Sequence, residues 1–365
     1  MIKKLEYTDD DELIILDQTL LPAKEKYLKT KDYEAVIDAI KKLKVRGAPL
    51  IGIAAAYGVV LGMNNGDADN LNDYEKQFYL LLDEFRKSRP TARNLFYAME
   101  RIEIAFRENK ELTGGTEKEI IKKMNDALLD EADRIFEEDI EMCKRIGANG
   151  SELISEKMNI LTHCNTGELA TGGIGTALGI ISTAARQSKD IFVFVDETRP
   201  LLQGARLTTY ELEKNGIEFD LIVDSMAANL MKDGIVDCVF IGADRIALNG
   251  DVVNKVGSYN LAVNCAYHKV PFYVAAPGTT IDFECEKGDE IEIEERDGDE
   301  VTSVHGNRIT KNVPVKNPAF DMVPNGLVTA IITEYKVHYP PYNFKSLKHL
   351  FSSYIQTLAN KEDEE

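Results

Sequence analysis

Apolar residues are spaced differently in the first third of the chain than in the rest. Before residue 150 they recur at helical spacing, and between 50 and 62 they occupy nearly every position. A helix that is apolar on all faces is expected to be buried. The pattern predicts a short strand at 13–16 and helices at 33–43, 50–62, 74–87, 92–108 and 117–146.

From about residue 159 short β-branched and aromatic runs alternate with helical patterns. Strands alternating with helices are typical of a parallel sheet covered on both faces, so the sequence predicts an α/β fold. Beyond residue 276 we predict an edge strand at 290–296 and a helix at 327–334. The other predicted strands are 159–161, 191–195, 219–223, 238–241 and 272–274, and the helices between them are 176–186, 203–215, 226–232 and 259–268.

The amino-acid composition limits the kinds of molecule that this protein is expected to bind. Hydrophobic residues make up 44% and charged residues 29%, which is typical of a globular protein, and the formal net charge is -19. That charge argues against a general nucleic-acid or anionic-membrane surface. The polar N-terminus does not resemble a signal peptide, and no apolar run approaches the length of a membrane span. Five cysteines without a CxxC pair favour reduced thiols in the cytoplasm over disulfides or a zinc site.

Ligands of parallel sheets bind outside the carboxyl ends of the strands, so the residues that follow each predicted strand are candidates for chemistry. Cys164 follows the strand at 159–161 and precedes a glycine-rich turn and a helix. Free N–H groups at a helix start favour anions, and they are expected to lower the pKa of a nearby thiol. A buried cysteine in a tight turn is the alternative interpretation.

Asp244 follows the predicted strand at 238–241 and should project into the same crevice as Cys164. A carboxyl among strand ends and apolar side chains tends to have a raised pKa, which suits a general acid near neutral pH. The alternative is an aspartate that caps the next helix.

Two arginines precede prolines at predicted helix starts. Arg46, Gly47 and Ala48 come before Pro49, and Arg89 comes before Pro90. Each offers free N–H groups beside a guanidinium, which is a favourable arrangement for a phosphate. A helix cap with a solvent-facing arginine is the alternative.

Gln203 lies near the predicted crevice and can donate to hydroxyl or phosphate oxygens. Lys255, preceded by Asn254, can reach back to a phosphate, or it is an ordinary surface lysine. A thiol, a carboxyl and several anion-binding corners together indicate a small pocket for a phosphorylated polyol or sugar.

Several long blocks of the sequence, spread from about residue 10 to 340, resemble a known family. They include VRGAPLIGIAAAYG (45–58), SRPTARNLF (88–96), THCNTGELAT (162–171), DETRPLLQGARLT (196–208), GADRIALNGDVVNKVGS (242–258) and NPAFDMVP (317–324). In these blocks the chain is similar to the methylthioribose-1-phosphate isomerases of methionine salvage. That superfamily also contains regulatory subunits of translation initiation factor two B and ribose-1,5-bisphosphate isomerases.

The resemblance implies isomerisation of 5-methylthioribose 1-phosphate to 5-methylthioribulose 1-phosphate without a metal or nucleotide cofactor. It assigns Cys164 and Asp244 as the catalytic residues. It also implies a smaller, mainly helical domain at 1–125, a Rossmann-like catalytic domain at 126–365 and a homodimer. The substrate-binding positions that it implies are Arg46, Gly47, Ala48, Arg89, Gln203, Asn254 and Lys255.

The residue types suit this chemistry, because a sugar with phosphate on its anomeric carbon has no free aldehyde form. The enzyme has to break the ring C–O bond while it retains the phosphate, and then move hydrogen from C2 to C1. A protonated Asp244 would give a proton to the ring oxygen. Cys164 would act as a thiolate base or shuttle, or it would only support a hydride shift electrostatically.

Three positions depart from the family pattern: Ser225, Glu168 and Ile174 stand where Asn, Ala and Tyr are more usual. They leave open a preference for 5-deoxyribose 1-phosphate or ribose 1,5-bisphosphate. A non-catalytic subunit that senses a phosphorylated metabolite is the alternative from another class. The presence of both Cys164 and Asp244 within intact blocks favours an enzyme.

Overall fold

The computed structural model describes residues 2–66, 68, 70–89, 93–110, 115–304, 306–345 and 347–348. They form two compact units, of which the first contains Met1–Glu141 and Leu169–Gly172 and the second Met142–Glu168 and Gly173–Lys345. The division after residue 141 falls within one long helix, in which the domain boundary proposed at 125/126 also lies.

The first unit combines a small antiparallel sheet with helices. Its strands pair in the order β1-β2-β3. The predicted helix at 92–108 begins on residues outside the described ones and is observed from Arg93 onward. The elements are β1 (Leu5–Thr8), β2 (Glu12–Leu16), β3 (Tyr27–Thr30), α1 (Tyr33–Lys41), α2 (Ala48–Asn64), α3 (Leu71–Ser88), α4 (Arg93–Lys110) and α5 (Glu117–Ser151), which continues into the second unit.

Helix α2 lies at the centre of the first unit's core. Its residues from Leu50 to Met63 are all buried, as the run of apolar and small residues predicts. Pro49 stands in its first turn, where the missing N–H leaves no hydrogen bond unmade. Neighbouring helices contribute the aromatic rings of Phe78, Phe85 and Phe106 to the same core.

The second unit alternates strands and helices. A five-residue π-helix, Gly204–Thr208, precedes α7. The elements are β4 (Lys157–Thr162), α6 (Ala177–Arg186), β5 (Asp190–Asp196), α7 (Thr209–Asn215), β6 (Phe219–Ile222), α8 (Ala227–Lys232), β7 (Cys238–Ile241), β8 (Arg245–Ala247), β9 (Val252–Lys255), α9 (Ser258–His268), β10 (Phe272–Ala275), β11 (Ile281–Asp282), α10 (Asp299–Thr302), β12 (Ser303–Val304), β13 (Asn307–Arg308), β14 (Phe320–Val323), β15 (Ala330–Ile332) and β16 (Val337–His338).

The main sheet of this unit has the strand order β16-β15-β10-β7-β4-β5-β6. All neighbouring pairs are parallel except β15 and β16. If the six parallel strands are numbered along the chain, their order is 3-2-1-4-5-6, which is the order of the doubly wound dinucleotide-binding fold. The predicted α/β class with a parallel sheet is therefore confirmed. The strand order reverses between β4 and β7, and that switch point is where such sheets bind ligands.

A second sheet in the same unit, of order β11-β8-β9-β14, begins directly after β7. β8 and β9 form an antiparallel pair, and β14 pairs with β9 on its other side. The loop from β7 to β8 contains Asp244, and β9 ends with Lys255. This sheet therefore holds the segments on either side of β8 in place at the carboxyl end of β7.

Two predicted elements are wrong. The segment 327–334 contains strand β15 (Ala330–Ile332) and is not a helix. All three residues of this strand are buried, and a strand buried on both faces has the same continuous apolar pattern as a buried helix. The segment 290–296 is not an edge strand and makes one isolated bridge, between Glu295 and Pro318. Its apolar residues Ile291 and Ile293 instead pack on a small core with Phe320.

Within the described part of the chain, no helix has the length and apolar character needed to cross a membrane.

Candidate active site

The residues that follow β4 and β7 meet at the switch point of the parallel sheet. Thr162 is the last paired residue of β4 and lies opposite Phe240, to whose carbonyl oxygen it donates a 2.9 Å hydrogen bond from its Oγ1. The turns that follow β4 and β7 approach each other closely, since a Cβ on Gly242 would lie 2.6 Å from Cγ2 of Thr166. Two residues further on, the Asp244 N–H donates to the Val253 carbonyl oxygen. Cys164 and Asp244 therefore follow adjacent strands at one edge of the sheet.

Cys164 is half-buried and has a left-handed backbone, with φ 61°. Its N–H donates to Oγ1 of Thr198 at 2.8 Å, and its carbonyl oxygen accepts a hydrogen bond from Oγ1 of Thr208. Left-handed non-glycine residues are uncommon and persist where surrounding contacts hold them. The turn that carries the thiol is thus fixed by two hydroxyls from other segments.

Thr198 has a left-handed backbone as well, with φ 62°, which is unusual for a β-branched residue. The carboxylate of Asp224 holds this turn, because it accepts the N–H groups of Thr198 and Arg199 at 2.8 Å each. The guanidinium of Arg199 donates to the carbonyl oxygens of Pro200 and Val301. Arg199 is therefore used to anchor a loop.

Glu211 of α7 organises the chain that follows Cys164. Its carboxylate accepts a 2.8 Å hydrogen bond from Nδ2 of Asn165 and a 2.6 Å hydrogen bond from the Glu168 N–H. Gly167 lies against the same carboxylate, and a Cβ at this position would be 2.0 Å from Oε2. Sequence reasoning assigned no role to Glu211, because this residue lies far from Cys164 along the chain.

Gln203 is buried directly before the π-helix. Its Oε1 has no hydrogen-bond partner among the described residues, and a buried amide oxygen without a partner is costly unless a ligand or water supplies a donor. Gly204 allows the π-helix to contact β5, since a Cβ there would lie 1.7 Å from the Asp196 carbonyl oxygen. Short π-helices are frequent at functional sites.

Asn254 and Lys255 end strand β9 beside the start of α9. The buried Asn254 donates to Oγ of Ser258 at 2.8 Å. The Lys255 ammonium donates to the Ala319 carbonyl oxygen at 3.0 Å and lies 4.5 Å from the ring centroid of Phe320. The lysine is thus held close to its own unit and does not extend as a free surface side chain.

The other predicted binding residues lie in the first unit. Arg46 is buried, and Gly47 has φ 94° at the N-terminal end of α2, which begins at Ala48. Gly47 packs on Ala170, where a Cβ would come within 2.4 Å of the backbone. Arg89 directly follows the last residue of helix α3. The expected arrangement of an arginine and a tight turn before a helix is present at Arg46, whereas Pro90 lies outside the described residues.

A buried histidine lies next to the cysteine. His163 Nδ1 is 3.0 Å from Oδ2 of Asp196, and its Nε2 is 3.0 Å from the Val256 carbonyl oxygen. Burial acts to lower the pKa of His163, but Asp196, Asp224 and the Val256 carbonyl together raise it above its ordinary value. Burial also raises the pKa of Asp196 to about 6, against the opposing effect of His163.

His163, Asp196 and Asp224 also bring potential metal ligands within 4.8 Å of one another. Both nitrogens of His163 face protein oxygens, and both oxygens of Asp224 accept backbone N–H groups. Protein hydrogen bonds therefore account for this arrangement.

Comparisons with known proteins agree on one family. The sequence model of the family described as the initiation factor 2 subunit family matches residues 44–340 of this chain. The methylthioribose-1-phosphate isomerase of Heliobacterium modesticaldum is 50% identical over 335 residues, which cover 91% of this chain and 95% of that protein.

Two solved structures share the fold over nearly their full lengths. The 5-methylthioribose 1-phosphate isomerase from Pyrococcus horikoshii is 39% identical, with a TM-score of 0.87 and coverage of 97% of this chain and 96% of that one. A chain from A. fulgidus described as translation initiation factor eIF-2B, subunit delta, is 41% identical, with a TM-score of 0.81 and coverage of 95% and 100%.

Proposed function

The chain belongs to the initiation factor 2 subunit family, and we propose that it is an isomerase that converts 5-methylthioribose 1-phosphate to 5-methylthioribulose 1-phosphate in methionine salvage. The observation that carries the proposal is the placement of Cys164 and Asp244 after adjacent parallel strands at the switch point. Relatives named as this isomerase support the same substrate.

In the first step, Asp244 donates a proton to the ring oxygen while the bond from that oxygen to C1 breaks. Hydrogen then moves from C2 to C1, and the C2 hydroxyl gives up its proton as the ketone forms. The proton gained by the ring oxygen balances the proton lost from the C2 hydroxyl. Cys164 either carries the C2 hydrogen as a proton or stabilises the electron-poor carbon during a hydride shift.

Substrate binding in the second unit is assigned to Gln203, Asn254 and Lys255. The buried Oε1 of Gln203 is an acceptor for a sugar hydroxyl, and the ammonium of Lys255 is a cation for the phosphate. Arg46, Gly47, Ala48 and Arg89 are proposed as binding residues on the resemblance to the family. The protein's net charge of -19 means that a phosphate needs such local cations and N–H groups.

Turnover of three purified substrates tests the proposal. We expect kcat/KM to be highest for 5-methylthioribose 1-phosphate, with 5-deoxyribose 1-phosphate and ribose 1,5-bisphosphate as the comparison compounds. A methylthio group buried in an apolar pocket contributes on the order of 1–3 kcal/mol of discrimination against a smaller substituent. The assay measures formation of the ketose phosphate.

An exclusive preference for the bisphosphate would contradict the proposed substrate and retain the isomerase class. Binding of all three compounds without turnover of any would contradict the enzyme and favour a subunit that senses a phosphorylated metabolite.

Replacing Lys255 with alanine should mainly weaken substrate binding. Loss of a charged hydrogen bond to phosphate costs roughly 1.5–3 kcal/mol, so we expect KM to rise about 10- to 100-fold with a smaller change in kcat. Steady-state kinetics measure both constants. Lys232→Ala, at the exposed end of α8, is the matched control. An unchanged KM in Lys255→Ala would show that the ammonium does not contact the substrate.

The proposal includes a homodimer in the cytoplasm. Helix α9 presents a row of exposed apolar side chains at a spacing of four residues, Tyr259, Val263 and Tyr267, and this row is consistent with a protein contact. The mass in solution, measured by light scattering, decides between one and two copies.

A further inference from the structure

The His163–Asp196 pair connects three segments of the site. Asp196 ends β5, and His163 directly precedes Cys164. The Val256 carbonyl belongs to the turn between Lys255 and α9. The imidazole ring packs against that turn, because a Cβ on Gly257 would lie 2.8 Å from its Cε1. A change in this pair would therefore move both the cysteine turn and the end of β9.

The two hydrogen bonds of His163 restrict where its protons lie. A backbone carbonyl oxygen only accepts, so Nε2 must carry a hydrogen that it donates to Val256. At Nδ1, 3.0 Å from the Asp196 carboxyl, two arrangements remain. Either Nδ1 also carries a hydrogen and an imidazolium faces a carboxylate, or a protonated Asp196 donates to the lone pair of a neutral ring.

The surroundings favour the neutral arrangement. Both side chains are only 1% exposed, and burying two opposite charges costs more than burying a neutral acid and a neutral ring. Oδ1 of Asp196 has no hydrogen-bond partner among the described residues. An unpartnered oxygen is far less costly as the carbonyl oxygen of an acid than as part of a carboxylate.

We propose that His163 and Asp196 form a neutral hydrogen-bonded clamp, in which the protonated Asp196 donates to His163 and His163 donates to Val256, and that this clamp positions Cys164 and Lys255 for the proposed reaction. Both are positioning residues, because Oδ2 of Asp196 and both ring nitrogens of His163 face protein partners. The link to turnover rests on the proposed function, whereas the protonation state does not.

Neighbouring charges act on both members of the pair. The carboxylates of Asp224 and Glu197 disfavour a further negative charge on Asp196, and Asp224 also raises the pKa of His163. On the far side of His163 lies Asp321, which accepts the N–H groups of Gly257 and Tyr259. Two other groups face this region: the Lys255 ammonium, held on the Ala319 carbonyl oxygen, and the Cys265 thiol, which stays neutral because burial raises its pKa.

Nitrogen NMR of the wild-type protein tests the clamp directly. In protein labelled with ¹⁵N-histidine, we expect one pyrrole-like and one pyridine-like ring nitrogen for His163, unchanged from mildly acidic to mildly alkaline pH. The resonances are assigned by their absence from His163→Gln. Two pyrrole-like nitrogens at neutral pH would reveal an imidazolium and overturn the proposal.

Substitution of Asp196 provides the second test. The side-chain amide introduced by Asp196→Asn can donate to Nδ1 as the acid does, so this variant should keep kcat/KM within about threefold of wild type. Asp196→Ala lacks the donor and should lose at least about tenfold. A loss in Asp196→Asn as large as that in Asp196→Ala would show that the negative charge is required and would contradict the neutral clamp.

The two proposals fail in different ways. If the wild-type protein turns over none of the three sugar phosphates, the proposed function is wrong, and the nitrogen spectra still decide the state of the pair. If it is active and His163 is an imidazolium, the clamp alone is wrong.

Discussion

Cys164→Ser should lower kcat by at least about 10³-fold, which corresponds to roughly 4 kcal/mol in the barrier. Serine preserves the size of the side chain and the two backbone hydrogen bonds, to Thr198 and from Thr208, that fix the turn. Its hydroxyl does not ionise near neutral pH, so it cannot replace a thiolate. Steady-state turnover measures the loss, and circular dichroism with a melting curve should show an unchanged fold.

A second thiol in the same unit offers a matched control. Cys285 is buried and its Sγ lies 3.1 Å from the Lys287 carbonyl oxygen, a contact that serine retains. Cys285→Ser should therefore have near wild-type activity. Near wild-type activity in Cys164→Ser as well would remove the thiol from the mechanism.

Turnover in deuterium oxide separates the two roles that remain open for Cys164. If the thiolate carries the C2 hydrogen as a proton, exchange with solvent should place deuterium at C1 of the product. A hydride shift would leave C1 free of solvent deuterium. Either result shows which of the two roles of the thiol is removed when kcat falls in Cys164→Ser.

Asp244→Asn should lower kcat by about 10²- to 10⁴-fold with a small change in KM, because the amide cannot supply the proton that the ring oxygen needs. A general acid is active in its protonated form, so wild-type kcat should decrease at alkaline pH. This alkaline decrease should be absent from the residual activity of Asp244→Asn. The measurement is a kcat profile against pH for both proteins.

Asp220→Asn is the matched control for this substitution, since Asp220 is an exposed carboxyl on edge strand β6. Its kcat should equal that of the wild type at every pH. If Asp244→Asn retained wild-type kcat, the proton would have to come from another group and the assignment would be wrong.

The parallel sheet was predictable because each of its main strands has its own apolar run. Strand β15 was mistaken for a helix, because Ala330–Ile332 is buried on both faces and pattern alone cannot distinguish such a strand. The alternating run at 290–296 was mistaken for a strand. Its two isoleucines contact a small core through an irregular backbone, without the ladder of hydrogen bonds that a strand needs.

Within the site, sequence reasoning placed Cys164 and Asp244 at the carboxyl ends of strands, and the sheet order makes those strands neighbours. The supporting residues His163, Asp196 and Glu211 were not assigned a role. Each of them acts through a contact with a distant part of the chain, and no local pattern encodes such a contact. A titratable side chain beside a cysteine at a strand exit was the only available signal for His163.

The topology of the sheet bears on how this fold can diversify. Both proposed reacting side chains are attached beyond the last paired residues of β4 and β7, so neither contributes to the interior that stabilises the unit. A lineage could lose the chemistry by point mutation and still inherit an intact scaffold, free to be recruited for assembly or ligand sensing. Chains of one ancestry that carry the names of a metabolic enzyme and of a translation factor are the outcome expected of such a separation.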